Sequence, residues 1–170
     1  MKKTLFVFVL VAVLATGTAF ADHPSGLGIG VQGGGNGNWG TSGYGHSNLA
    51  LSLKVPSLPI FWAISASIGE KHFGTGVSGD YYLIDSNIVP SIGLHWYLGL
   101  GVGVGLWGFN DKLGLGASGR LPIGLSWQPP SVKILEIFLQ VVPNIGVQVL
   151  PDFHFPYGGW GGDLGIRLWF

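Results

Sequence analysis

The stretch IGLHWYLGLGVGVGLW (residues 92–107) decides the fold. Its even positions, Ile92, Leu94, Trp96, Leu98, Leu100, Val102, Val104 and Leu106, are all apolar. Its odd positions, Gly93, His95, Tyr97, Gly99, Gly101, Gly103, Gly105 and Trp107, are glycine and semi-polar rings. An unbroken period of two belongs to a strand and cannot wrap one face of a helix. In a soluble sheet the even face would be core and the odd face would carry charge. Here the even face is continuously oily and the other is small, which suits a strand with lipid on one side.

The rest of the chain repeats the pattern. Alternation predicts strands over residues 26–32, 48–55, 60–69, 80–84, 92–107, 113–127, 135–149 and 160–170. Four longer connections, 33–47, 70–79, 108–112 and 150–159, interleave with three tight turns, 56–59, 85–90 and 128–131. Eight strands with alternating loop lengths describe an all-β, eight-stranded antiparallel up-and-down transmembrane β-barrel. Closure follows from the solvent: an open sheet would leave unpaired N–H and C=O groups in hydrocarbon. Outward Trp62, Tyr81, Trp96, Trp127 and Trp160 fall near strand ends, where interfacial aromatic girdles belong. Pro122 and Pro143 oppose this reading, because each deletes a ladder donor inside a strand. A bulge, or a position above the membrane, would accommodate either one.

Composition agrees. Only 9% of the residues are charged, against about 25% in soluble domains. Past residue 21 no apolar run is long enough for a helical span. The N-terminus reads as a cleavable signal peptide over residues 1–21: Lys2 and Lys3, an apolar run over 5–14, then Ala19-Phe20-Ala21 as the cleavage site. Residues 22–170 then form one barrel domain with six basic and eight acidic residues. No basic patch exists for a nucleic acid. The absence of cysteine leaves no disulfide framework.

The last strand ends Asp163-x-Gly165-x-x-Leu168-x-Phe170. This pattern resembles the terminal assembly signal of outer-membrane barrel proteins. The whole of residues 22–170 resembles the small OmpX- and OmpW-type barrels in architecture. The phrases LPIGLSW (121–127), LEIFLQVVPNIGV (135–147) and LGIRLWF (164–170) resemble an uncharacterised spirochaete-type family of small barrels more closely. The resemblance implies an outer-membrane monomer in contact with lipid, delivered by periplasmic chaperones and folded by the barrel-assembly machinery. It supplies no catalytic residue.

Lys54, Asp80, Arg120, Glu136, Asp163 and Arg167 fall on the inward face, three of each sign. Buried ions persist only when paired; Arg120 and Glu136 straddle one turn and Arg167 lies on the next strand, so one ionic cluster is expected in the lower half of the lumen. An eight-stranded barrel is just wide enough for side chains to fill, which favours a structural plug over a gate or proton path. Gly99, Gly101, Gly103 and Gly105 precede no helix N-terminus and so hold no phosphate. They make room for rings opposite, such as Tyr82, Tyr97, Phe138 or Trp169, or line a groove for an apolar ligand. Of the five histidines, His23, His46, His72 and His154 lie in the leader or in predicted loops and His95 in a strand; none has a companion at metal-ligand spacing. His46-Ser47 resembles the His and Ser of a barrel lipid-A deacylase, but no Ser, base and acid come together. No metal, cofactor or catalytic residue is therefore expected. The loops carry Trp39, Tyr44, Phe73, Phe109, Phe153, Phe155 and Tyr157, which either contact a partner or fold back on the rim.

Three functions follow. The first is a non-catalytic outer-membrane protein whose loops contact a ligand or host surface. The second is a narrow channel or binding barrel for a small apolar molecule. A lipid-modifying enzyme is the third.

Overall fold

A computed structural model describes residues 23–38, 46–69, 72–109 and 112–170. The predicted signal peptide, Trp39 and Tyr44 lie outside them. Among the described residues the strands are β1 (Gly28–Asn38), β2 (His46–Lys54), β3 (Phe61–Gly69), β4 (His72–Val89), β5 (Leu94–Phe109), β6 (Lys112–Arg120), β7 (Ile123–Trp127), β8 (Leu135–Leu150) and β9 (His154–Trp169). All neighbours pair antiparallel, and β1 pairs β9, so the sheet closes on itself.

Nine segments make eight staves, because β6 and β7 are one strand interrupted at Leu121 and Pro122. Gly101 opposes Arg120 on one side of the gap and Leu98 opposes Ile123 on the other, the same offset. The gap is where both prolines meet. The Leu121 N–H donates to the Pro143 carbonyl at 2.9 Å, and the Gly99 N–H donates to the Pro122 carbonyl at 2.8 Å. Each proline keeps its acceptor and turns its missing donor into the gap, so neither a bulge nor a place above the membrane is needed.

The faces alternate as β5 requires. Val102 and Val104 are 69% and 56% exposed on the outside, whereas Tyr97 is fully buried in the lumen. Several expected connections fail, 154–159 among them, which belongs to β9. Residues 72–79 are not a loop: β4 begins at His72, with Phe73 and Val77 outside and Ser78 and Asp80 inside. Residues 33–38 likewise continue β1. Glycine masks a strand, on the inner face in β4 (Gly74, Gly76) and on the outer face in β1 (Gly33, Gly37, beside outward Leu49 and Trp160), because it carries no hydropathy signal to alternate. The predicted turn over 85–90 is also largely strand.

The glycines match the lumen's rings. Phe61, Tyr82 and Tyr97 form a near-parallel stack, with centroid separations of 4.1 and 4.3 Å. A Cβ on Gly99 would meet the Tyr82 ring at 3.0 Å. On Gly124 it would overlap Tyr97, and on Gly165 it would overlap Phe138. A Cβ on Gly105, in contrast, would meet nothing nearer than the Thr75 carbonyl at 3.7 Å. Gly124→Ala is therefore expected to lose about 1–3 kcal/mol by overpacking, and Gly105→Ala less than about 0.5 kcal/mol. Urea midpoints of the two variants, refolded in detergent, check this; equal shifts would refute it.

Candidate functional site

The lumen has two compartments. Nearest the chain termini it is filled. Far from them it opens into a bowl.

The filled part is organised by a residue outside every strand. His23, in the leader before β1, enters the lumen and is 6% exposed. Its backbone N–H donates to Asp85 Oδ2 at 3.0 Å, and its ring Nδ1 lies 2.6 Å from the same oxygen. The ring Nε2 lies 2.9 Å from Glu136 Oε1. Both contacts put a carboxylate against a ring nitrogen, so the arrangement suits imidazolium, which donates from both. Burial by itself disfavours that charge, but Glu136 and then Asp85 outweigh it and raise the His23 pKa to about 9.

Glu136 is the centre of the group. Its Oε2 accepts from Arg167 Nη1 at 2.7 Å and from Trp169 Nε1 at 2.8 Å. Arg167 donates in turn to Ser52 Oγ from Nη2 at 2.9 Å. Its guanidinium lies 4.8 Å from the Phe61 ring centroid and 4.7 Å from that of Phe138, a cation between two aromatic faces. His23 stands edge-on to Phe61, Tyr82 and Tyr97. The cross-section is thus occupied by rings and paired ions.

The expected single ionic cluster is in fact two groups. Among the described residues Arg120 pairs with Asp80, donating from Nε at 3.0 Å and from Nη2 at 3.1 Å. Arg120 is opposite Asn144, and Glu136 lies eight residues further along β8, about 26 Å of strand. Asp163 accepts from Gln140 Nε2 at 3.1 Å, and Tyr97 donates to Gln140 Oε1 at 3.1 Å. Lys54 donates to the Val55 carbonyl at 3.0 Å and lies 5.8 Å from the Phe61 ring. Arg120 and Glu136 bracket one turn in sequence, and that proximity is misleading because both strands are long.

Two residues were missed by sequence reasoning. His23 reads as leader, and nothing local signals its insertion. Asp85 reads as turn because β4 stops alternating at Tyr81-Tyr82-Leu83-Ile84. The cause is a bulge between Tyr82 and Ile84. One extra residue moves everything after it to the opposite face, which turns Asp85 into the lumen beside His23. Broken alternation is itself the signal that could have found it.

The bowl has a volume of about 520 Å³ and is lined by β1–β6, β8 and β9. A polar chamber of about 100 Å³ lies beneath it, sharing Asn36, Asn48, Ser65 and Arg120 with it. Of the aromatics expected on loops, Phe73, Phe109, Phe155 and Tyr157 lie within strands; Tyr157 lines the bowl and lies near-parallel to Trp107, centroids 5.9 Å apart. Phe73, Phe153 and Phe155 are exposed. Phe109 ends β5. In the terminal pattern Asp163 is an inward residue, Gly165 makes room for Phe138, and Leu168 and Phe170 are outward. Phe170 is held by a reciprocal backbone pair with Leu27 at 2.8 and 2.9 Å. Among the described residues no group of His, Cys, Asp and Glu is placed to hold a metal ion.

A ring of antiparallel strands, oily outside and filled within, defines a small outer-membrane-type β-barrel. The chain is similar to Neisserial surface protein A (NspA), whose crystal structure matches with a TM-score of 0.51 and 11% identity, over 86% of this chain and 98% of that one. The N-terminal β-barrel domain of Pseudomonas aeruginosa OprF matches with a TM-score of 0.49 and 15% identity, over 84% and 97%. At such identities the likeness concerns the fold. No protein-family model matches the sequence, and no curated protein does.

Proposed function

We propose that the protein resides in the outer membrane as a non-catalytic, non-conducting barrel that presents its bowl and outer rim to the cell exterior for ligand or surface contact. The observation that carries this reading is the occluded lumen. Tyr97 and Glu136 are 0% exposed and Arg167 is 2% exposed, on a barrel whose outer valines and leucines are bare. Oily side chains need lipid, and a plug of stacked rings and paired ions leaves no water path. With the termini at the periplasmic face, the bowl points outward. The phrases at 121–127, 135–147 and 164–170 support kinship with the spirochaete-type barrels.

A channel for a small apolar molecule would need the plug to leave. Planar-bilayer recording of protein that shows heat-modifiable migration on gels is expected to give no steady conductance. Regular unitary steps from the folded band would overturn the reading.

A further inference from the structure

We infer that the bowl is a binding site for a neutral sugar of mono- or disaccharide size. The inference rests on the reading that this end of a closed barrel faces outward.

Three observations on the bowl converge. Its size suits a small ligand, since pockets for such molecules run from about 300 to 1,000 Å³, and about 520 Å³ is available. Beside Arg120, two aromatic rings and the glycines, its lining carries amides and hydroxyls, notably Asn36, Asn48, Ser65, Ser118, Asn144 and Gln148. Amides and hydroxyls both donate and accept, which matches the hydroxyls of a sugar. Several make long bonds to backbone: Ser65 to Gly76 at 3.3 Å, Asn144 to Val142 at 3.4 Å and Gln148 to Asp152 at 3.4 Å. The Oδ1 of Asn48 is buried and has no hydrogen-bond partner among the described residues, an acceptor waiting for a donor.

The third observation is the wall. Trp107 and Tyr157 are half-buried and near-parallel, and Trp107 lies against Gly114 and Gly116, where a Cβ on Gly114 would overlap its ring. A braced indole offers a flat apolar face to the C–H side of a sugar ring while the amides take its hydroxyls.

Charge and hydropathy exclude the alternatives. The cation on the floor, Arg120, is paired along its Nε–Nη2 edge with both oxygens of Asp80, which balances its charge, so the bowl carries no net charge that calls for an anion. Val77, Val104 and Leu106 also border the bowl, but they hold the outward positions of their strands, with Val77 and Val104 exposed outside, so an apolar ligand would meet their backbone rather than their aliphatic side chains.

The test is titration of the folded protein in detergent with glucose, galactose, N-acetylglucosamine, maltose and lactose, followed by tryptophan fluorescence and by saturation-transfer NMR. Saturable binding of at least one is expected, weakened about tenfold or more by Trp107→Ala, the loss of one ring contact. Gly105→Phe is the second variant, because its Cβ meets only ordinary contacts and its ring fills the bowl; it is expected to abolish binding while keeping heat-modifiable migration. Saturation by none of the five sugars overturns the inference, as does binding that Gly105→Phe leaves intact. Binding confined to inorganic phosphate or to N-phenyl-1-naphthylamine overturns it too, in favour of an anionic or apolar ligand. Conductance recorded on the same preparation keeps the two claims apart: a silent barrel that binds no sugar sinks this inference alone, whereas steady conductance sinks the non-conducting reading whatever the sugars do.

Discussion

Glu136→Ala is expected to lose about 3–5 kcal/mol of folding stability, the cost of stranding a buried ion. The carboxylate is fully buried and accepts from Arg167, Trp169 and His23. Without it, the Arg167 guanidinium keeps the Ser52 hydroxyl and the faces of Phe61 and Phe138. A cation–π contact contributes about 0.5–2 kcal/mol, well short of what full desolvation of a charge costs. The indole N–H of Trp169 is stranded as well. Urea unfolding in detergent, read by the heat-modifiable shift, measures the loss. The double variant Glu136→Leu with Arg167→Met separates pairing from packing. Two apolar residues of similar volume remove the ion together with its partner, so at least half of the loss is expected to return. If the double variant loses the sum of the two single losses, the pair does not act as a unit and the argument fails.

The barrel was legible where both faces carry side chains of different character. In β5 the outer face is Leu and Val and the inner face His, Tyr and Gly, so period, burial and lipid exposure all follow from one reading. The matched prolines were visible as a conflict, and only pairing geometry shows that Pro122 and Pro143 share one gap. The extents of β1 and β4 were not legible, because Gly-Gly-Gly-Asn-Gly-Asn and Phe-Gly-Thr-Gly-Val-Ser-Gly alternate weakly or not at all in hydropathy. There the ladder is held by neighbouring strands rather than by propensity. For the charges, parity told which side each faces but not its depth along the lumen. Depth needs the register between strands, which places Arg120 against Asn144 and Glu136 against Arg167. His23 was invisible for a different reason. Its role is created by the closed barrel, which gathers Asp85 from β4 and Glu136 from β8 around a site that no local pattern encodes.

That site makes the barrel's stability depend on pH in one definite direction. An unfolded histidine titrates near 6.5; in the lumen His23 titrates at about 9, burial opposing the shift while Glu136 and Asp85 produce it. A group whose pKa rises on folding stabilises where it is protonated in both states. The contribution is therefore complete below pH 6.5 and disappears as pH climbs through 9. The size of the shift corresponds to about 3 kcal/mol. The groups facing the ring are Asp85 and Tyr82 from β4, His95 and Tyr97 from β5, Glu136 from β8 and Trp169 from β9. Subtracting the curve of His23→Gln from that of the native chain isolates the histidine from the rest. The difference is expected to stay flat up to about pH 6.5, then to fall by about 3 kcal/mol by pH 9–10. Asp85→Asn removes one of the two carboxylates and is expected to move that fall to lower pH. With imidazolium present, Lys54, Arg120, Arg167 and His23 balance Asp80, Asp85, Glu136 and Asp163 among the described inward residues, and deprotonation leaves the lumen with one unbalanced carboxylate. A difference that grew with pH would mean that the leader histidine sits in the barrel neutral, held by shape rather than by charge.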